Sequence, residues 1–455
     1  NRYCIQFAEE RNLRYQKDEM GNLILFKEAS PGYEEEPTLI LQGHLDMVCE
    51  KEPGCAIDFA KDGLSLIVEG DMIRADGTTL GGDDGIAVAL ILAVLDDDTI
   101  AHPRLEAVLT AEEEVGLRGA MRMDVAALRG KRMINIDSER EGVIMAGCSG
   151  GITIVCNVPV HREVRRGYRC TIRIGGLIGG HSGMEIDKNR ANAVQILARI
   201  LFACEKQVGY AIESLRGGLK DNAIAREAEA VLLLASEAEA DQLIAEATVL
   251  GEAIRNEYRT ADPQLWIACE KRAGSETEAP VLDAESTRRA ICFLLSLPGG
   301  VQAMSAEMPG LVESSVNLGV LILDEESNEM CVHLLARSPG ESRKREVCDK
   351  AEAITLLADG SIAYSDAYPG WAYNPQSPLR TLCACVFEAH LGKPPIIETV
   401  HAGLECGIFA GKIDGLDCVS VGPDIFGIHT PTERLSISST ERLWHILLDI
   451  LASRA

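Results

Sequence analysis

The sequence predicts an α/β protein whose main domain is split by an insertion. Three observations carry that expectation. Short apolar runs alternate with helical patterns through the first third of the chain. The middle reads differently, as strands and helices of an α+β kind. Near Pro369 the pattern of the first third resumes. The split domain is read as residues 1–155 and 368–455, and the insertion as 156–367. With 455 residues the chain is too long for one ordinary core.

The elements follow in order. Thr38–Leu41 is a strand that delivers His44 and Asp46. Gly85–Leu95, apolar almost throughout and preceded by a glycine-rich turn, is a buried helix. Leu105–Thr110 is a strand leading into Glu112-Glu113-Glu114, and Met133–Ile136 a strand leading into Asp137. In the middle, Tyr168–Ile174 reads as a strand and Ala191–Glu205 as a helix. Strands near 210–215 and 228–234, a long helix near 238–258 and the strand Gln264–Cys269 follow. A second, similar run begins at Thr287, so two βαββαβ-like units in tandem are expected. After Pro369 come a helix over Leu379–Leu391, a strand at Ile396-Ile397, and the strand Cys418–Val421 before the loop of His429.

Composition narrows the function. The chain is 46% hydrophobic and 25% charged, as soluble globular proteins are. Its net charge of −26 opposes nucleic-acid phosphates and anionic membrane surfaces as partners. No uninterrupted apolar run reaches the roughly 18 residues of a membrane-spanning helix. The 15 cysteines lack zinc-finger spacing, which reads as reduced, mostly buried thiols in a cytoplasmic protein. The sequence begins at Asn1, and Tyr3–Arg14 reads as the middle of a helix, so a preceding segment is expected.

His44, Asp46, Asp83, the Glu112–Glu114 cluster, Asp137 and His429 all fall at the ends of strand-like runs or in tight turns. Ligands of open α/β sheets bind at strand carboxyl ends. Mixed His and carboxylate donors without clustered Cys suit one or two zinc-like ions, and paired ions of that kind usually serve hydrolysis. His44 and Asp46 share a strand face, which lets Asp46 orient the imidazole. Gly81-Gly82-Asp83-Asp84-Gly85 lacks the lysine and spacing of a phosphate loop, so metal binding and helix capping are its two readings. Three adjacent acids repel one another unless solvated or holding a cation. One can bind metal while its neighbour acts as general base.

The segments LILQGHLDMVCEK, TTLGGDDG, AEEEVGL, NIDSEREG, GGHSGMEI, HAGLECG and GPDIFGIHTPTERL, taken in order, resemble the aminoacyl-histidine dipeptidases. These belong to the di-zinc exopeptidase and aminoacylase superfamily, with carnosinases and tripeptidases. The resemblance implies a zinc-exopeptidase-like catalytic domain with a central mixed sheet, interrupted by an α+β lid. It implies two Zn2+, with Mn2+ or Co2+ as substitutes. His44 and Asp137 would hold one ion and Glu114 and His429 the other, with Asp83 bridging. Glu113 would be the general base and Asp46 the partner of His44. The bond Asp83–Asp84 would be cis. His181 would stabilise the oxyanion from the lid. Asn222, Arg337, His401 and Glu405 would contact substrate, Arg337 its carboxylate and Glu405 a free amino terminus.

The chain departs from the wider superfamily at Gly85, where Lys is usual, at Ala225, where Pro is frequent, and at Asp187, where His is common. The implied activity is metal-dependent hydrolysis of short unblocked peptides, Xaa-His dipeptides such as carnosine among them. An N-acyl amino acid amidohydrolase of the same fold and a non-catalytic metal- or peptide-binding protein are the alternatives. A small peptide is the expected partner, and the protein is expected to be a monomer or a homodimer.

Overall fold

The structure is a computed structural model that describes residues 1–272 and 276–454. The chain separates into two compact units. One comprises Asn1–Cys148 and Pro369–Ala455, the other Ser149–Tyr368. The strand Gly150–Pro159 belongs to the second unit's sheet, so the first division falls before it rather than at 155.

An eight-stranded mixed sheet forms the centre of the first unit. Its strand order is Arg14–Lys17, Leu23–Lys27, Leu105–Thr110, Leu39–His44, Arg132–Asn135, Asp417–Ser420, Val143–Cys148, Ile396–Val400. The four middle strands, from Leu105–Thr110 to Asp417–Ser420, are mutually parallel. Their carboxyl ends therefore open on one edge, which is where such sheets carry their sites. Leu39–His44 and Leu105–Thr110 are buried along their whole length, their polar residues Gln42, His44, Glu106 and Thr110 included.

Helices Arg2–Glu10, Gly82–Asp96, Pro378–Leu391 and Ile437–Ala452 supply much of the core around this sheet. Helix Gly82–Asp96 is anchored at both ends. The Glu433 carboxylate accepts the backbone N–H groups at its start. At its far end the Lys27 ammonium donates to the carbonyls of Val94, Leu95 and Asp97. Both placements match the helix dipole. A small four-stranded sheet, Ile425–Phe426, Arg434–Ser436, Met72–Ala75 and Leu66–Glu69, ties the His429 loop to the same unit.

The second unit contains the two expected βαββαβ units, but they are nested rather than in tandem. One is built from Arg162–Gly175, Ala193–Glu205, Ala211–Gly217, Ala228–Leu234, Glu237–Glu257 and Trp266–Lys271. The other takes its first strand, Gly150–Pro159, from before that unit. The rest follows it: Ala284–Ser296, Val312–Leu323, Glu329–Ser338, Glu341–Leu357 and Ser361–Tyr368. The two join edge to edge where Ala211–Gly217 pairs antiparallel with Val312–Leu323. Sequence periodicity gives elements but not partners, so nesting was invisible to it. The helices of both units and the buried face of the sheet share one apolar core.

Candidate metal centre

Three strand ends and two loops of the first unit converge on one carboxylate-rich cluster. His44 closes Leu39–His44, Glu113 and Glu114 follow Leu105–Thr110, and Asp137 follows Arg132–Asn135. Asp83 comes from the turn at the start of helix Gly82–Asp96, and His429 from the loop after Ile425–Phe426. The Asp83–Asp84 peptide bond is cis, as expected. Glu112 and His429 both adopt left-handed backbone conformations, with φ of 55° and 61°.

The ring atom His44 Nε2 lies 3.1 Å from Asp83 Oδ1 and 3.5 Å from Asp137 Oδ1. His429 Nε2 lies 3.1 Å from Glu114 Oε1 and 3.3 Å from Asp83 Oδ2. Asp83 thus offers one oxygen to each imidazole. Ligand atoms close enough to share an ion form three groups: His44–Asp83–Asp137, Asp83–Glu114–His429 and His44–Glu113–Glu114. The first two share Asp83. Among the described residues, no Lys or Arg forms an ion pair with Asp83, Glu113, Glu114 or Asp137. Buried anions without a fixed cation are costly. The donor set therefore fits divalent cations of the zinc type.

The electrostatics agree. Burial, then the Asp137 charge, pushes Glu113 up to about 9. Burial also raises Asp137, and it raises Glu139 to about 7 with the Asp83 charge next in weight. Burial alone would lower His44, but hydrogen bonds to Asp137 and Asp83 hold it well above its ordinary value. Hydrogen bonds to Asp83 and Glu114 lift His429 to about 10. Burial opposes ionisation of Asp83, yet its bonds to His429 and His44 keep it below the usual carboxylate range. In effect, protons and imidazoles compensate a surplus of negative charge that cations would otherwise neutralise.

Neighbouring groups fix these side chains. His44 Nδ1 meets the Asp46 main-chain oxygen at 3.0 Å, which leaves Nε2 to face the cluster. The Asp46 carboxylate is farther from that ring, at 3.7 Å, and accepts instead the N–H groups of Glu113 and Glu114. Asp84 accepts the His44 N–H at 3.0 Å. Glu433 accepts from Leu80, Gly81, Gly82 and Asp83, so it joins the Asp83 turn to the His429 loop. The sequence assigns neither Asp84 nor Glu433 a site role of its own. Both stand inside the quoted motifs, but an acid that binds only backbone N–H groups leaves no spacing signal.

Glu405 does not stand at an open amine subsite. Its side chain is fully buried at the start of helix Glu405–Lys412. Oε2 accepts from Gln42 Nε2 at 2.5 Å and Thr110 Oγ1 at 2.6 Å, and Gln42 in turn accepts from Asn135. Burial lifts Glu405 to about 7, and among the described residues its Oε1 has no hydrogen-bond partner. The network spans three of the parallel strands beneath the cluster. His401 is buried just beyond strand Ile396–Val400 and belongs to none of the three ligand groups.

The second unit gathers His181, Asn222 and Arg337. His181 pairs by an isolated bridge with Ala223, and the Asn222 carbonyl accepts the Ser182 N–H. His181 Nδ1 accepts from the N–H groups of Gly183 and Met184 at 3.2 and 3.1 Å. The neutral ring therefore carries its proton on Nε2. Burial, then the Arg337 charge, holds His181 below the ordinary histidine value. Arg337 is 4% exposed, and among the described residues it has no carboxylate partner. Its Nη1 donates to Tyr368 Oη at 2.7 Å and its Nε to Ser182 Oγ at 3.4 Å.

Residues 40–453 match the model of peptidase family M20/M25/M40. The cytosol non-specific dipeptidase of Escherichia coli (strain K12) is 35% identical over 451 residues, covering 99% of this chain and 92% of that protein. The aminoacylhistidine dipeptidase structure from Vibrio alginolyticus superposes with a TM-score of 0.92 at 33% identity, over 100% of this chain and 92% of that one. A Staphylococcus aureus tripeptidase structure shares the fold, with a TM-score of 0.54 at 17% identity over 99% of this chain and 91% of that one. The family match and the full-length relative agree with the motif reading: this chain belongs to the peptidase family M20/M25/M40.

Proposed function

We propose that this chain is a metal-dependent dipeptidase of the cytosol that hydrolyses short unblocked peptides, Xaa-His dipeptides among them. One observation carries the reading: two ligand groups, His44–Asp83–Asp137 and Asp83–Glu114–His429, share Asp83 and lie beside Glu113. The names of the E. coli and Vibrio relatives, a non-specific dipeptidase and an aminoacylhistidine dipeptidase, support the substrate class. Among the described residues no helix is long and apolar enough to cross a membrane.

Two divalent cations, zinc in this reading with manganese or cobalt as substitutes, would supply acidity to a water and polarise the scissile carbonyl. Asp83 bridges the two ligand groups. Glu113 takes a proton from the attacking water and returns it to the leaving amine nitrogen. Asp46 holds the Glu113–Glu114 backbone. Within the second unit, Ser149–Tyr368, His181 would donate its Nε2 proton toward the developing oxyanion, Arg337 would take the peptide's carboxylate, and Asn222 would be a further substrate contact. The neutral tautomer of His181, and the lack of a carboxylate partner for Arg337 among the described residues, support these two roles. Glu405 supports the floor of the centre, and His401 borders the substrate.

The test is hydrolysis of β-Ala-His, Gly-His and Gly-Leu by metal-reconstituted protein, alongside N-acetyl-His. Cleavage of the free dipeptides alone, abolished by a chelator and restored by zinc, is expected. Cleavage of the acetylated compound instead would move the activity to an acylase type. Binding of two metals with no turnover would overturn the peptidase reading.

A further inference from the structure

Tyr368 is the last residue of the second unit and ends strand Ser361–Tyr368. It stands in one cross-strand row with Gly151 and Arg337. Gly151 is the middle member, paired to Arg337 on one side and to Tyr368 on the other. Directly opposed residues of antiparallel strands project to the same face. Two local features make the row work. Between Ser365 and Tyr368 the register shifts by one residue, with Asp366 in a left-handed conformation at φ 50°. A bulge of this kind re-aims the side chain that follows it, and here it brings Tyr368 opposite Gly151 where Ala367 would otherwise stand. The glycine then leaves the middle of the row open. A Cβ on Gly151 would lie 2.5 Å from Tyr368 Oη and 2.6 Å from two of its ring carbons. The phenol therefore lies across Gly151 and reaches the Arg337 guanidinium at 2.7 Å.

The Tyr368 main chain is held as well. Lys344 Nζ donates to the Tyr368 carbonyl at 2.9 Å while pairing with Glu341 at 2.7 Å. Arg337 thus has its direction fixed by two neutral hydroxyls, Tyr368 Oη and Ser182 Oγ, rather than by an acid. An acid in that place would satisfy the guanidinium and compete with an anionic ligand. A phenol orients the cation and leaves its charge available.

We propose that Tyr368 is a positioning residue for Arg337, and that the Tyr368–Gly151–Arg337 row makes the enzyme select peptides with a free carboxylate terminus. The proposal rests on the assignment of Arg337 to the substrate carboxylate. Removing Tyr368 Oη frees Arg337 to swing, weakening carboxylate binding without altering the chemical step.

The experiment compares Gly-Leu with Gly-Leu amide as substrates for metal-loaded wild type, Tyr368→Phe, Arg337→Gln and the double variant. Tyr368→Phe keeps the ring over Gly151. Its KM for the free acid should rise about tenfold, as expected for loss of a hydrogen bond to a charged group. Its kcat should stay within about threefold and its kinetics on the amide should not change. In the Arg337→Gln background the Tyr368 substitution should add nothing. Ser182→Ala, which removes the longer contact, should shift KM in the same direction by less, and it gives a second reading should Tyr368→Phe fold poorly. Equal losses on acid and amide, or a full Tyr368 effect without Arg337, would show a merely structural role and overturn the proposal. If wild type and Arg337→Gln prefer the free acid equally, the assignment of Arg337 itself fails and the proposal with it. If Arg337→Gln loses the preference but both hydroxyl variants keep it, the proposal alone fails.

Discussion

The Asp46 carboxylate holds the backbone of Glu113: Oδ1 accepts the Glu113 N–H at 3.1 Å, and Oδ2 accepts the next N–H, that of Glu114, at 3.0 Å. His44 is served by the same residue through its main-chain oxygen. One aspartate therefore sets the position of the proposed base, of one proposed ligand and of one imidazole, by three separate atoms. Asp46→Asn keeps the main-chain contact but turns one acceptor into a donor that faces an N–H. Either amide orientation leaves Glu113 or Glu114 opposed. We expect kcat to fall by about 10–100-fold, the range for partners of metal ligands, with the His44 side of the centre still binding metal. Steady-state kinetics with metal analysis of the purified variant checks this. Loss of both metals would instead mean that the carboxylate governs His44.

Glu113→Gln separates binding from chemistry. Gln preserves size and removes the group that accepts the water's proton. It also relieves a crowded anion, since burial and the Asp137 charge already disfavour the Glu113 carboxylate. Metal content should be retained, while kcat falls by about 10²–10⁴-fold, the usual contribution of a general base. A variant that keeps wild-type turnover would remove Glu113 from the mechanism.

The contrast between Glu113 and Glu433 shows what the sequence makes legible. His44, Asp83, Glu114, Asp137 and His429 each end an apolar run or occupy a glycine turn, and order along the chain matched a known motif set. The strands that carry them were also readable, because Leu39–Leu41 and Ala107–Leu109 give each a short apolar stretch. Glu433 has no such signature. Its role arises from a loop that meets the start of a helix 350 residues away in sequence. The floor of Gln42, Thr110, Asn135 and Glu405 was obscured for a related reason: polar residues inside buried strands read as alternation to solvent until their partners are known. The nested order of the second unit depends on strand pairing, which periodicity does not encode.

Glu433 also yields a prediction. Its two oxygens accept four backbone N–H groups from Leu80 to Asp83, at 2.8 to 3.3 Å. Glu433→Gln converts one of these acceptors to a donor and removes the charge that favours the helix start. The Asp83 turn should loosen relative to the His429 loop. Apparent metal affinity, measured by competition with a chromogenic chelator, should weaken by about 10–100-fold. Glu433→Ala should be worse, and unchanged affinity in both would show that the turn is held by the chain alone.

His181 gives the chain a pH-sensitive element outside the metal centre. Its Nδ1 accepts two backbone N–H groups, so adding a proton there would break both contacts. Burial, then the Arg337 charge, opposes protonation further, while Glu185 acts weakly the other way. The folded value therefore lies below the ordinary 6.5. Above 6.5 the folded and unfolded chains both hold the ring neutral, and its contribution to stability is complete. As pH falls below 6.5, the unfolded chain binds a proton that the folded chain refuses, so stability declines until the folded value is passed. His181→Asn retains an acceptor for the two N–H groups and cannot titrate. The stability advantage of wild type over this variant should be largest above pH 6.5 and should shrink toward pH 5. Other acid-sensitive groups, including the depressed His102, are common to both proteins and cancel in the difference. Urea midpoints of the two metal-loaded proteins at several pH values read the trend. A difference that stays constant with pH would mean that His181 is as easily protonated folded as unfolded, and that its two backbone contacts do not fix the tautomer.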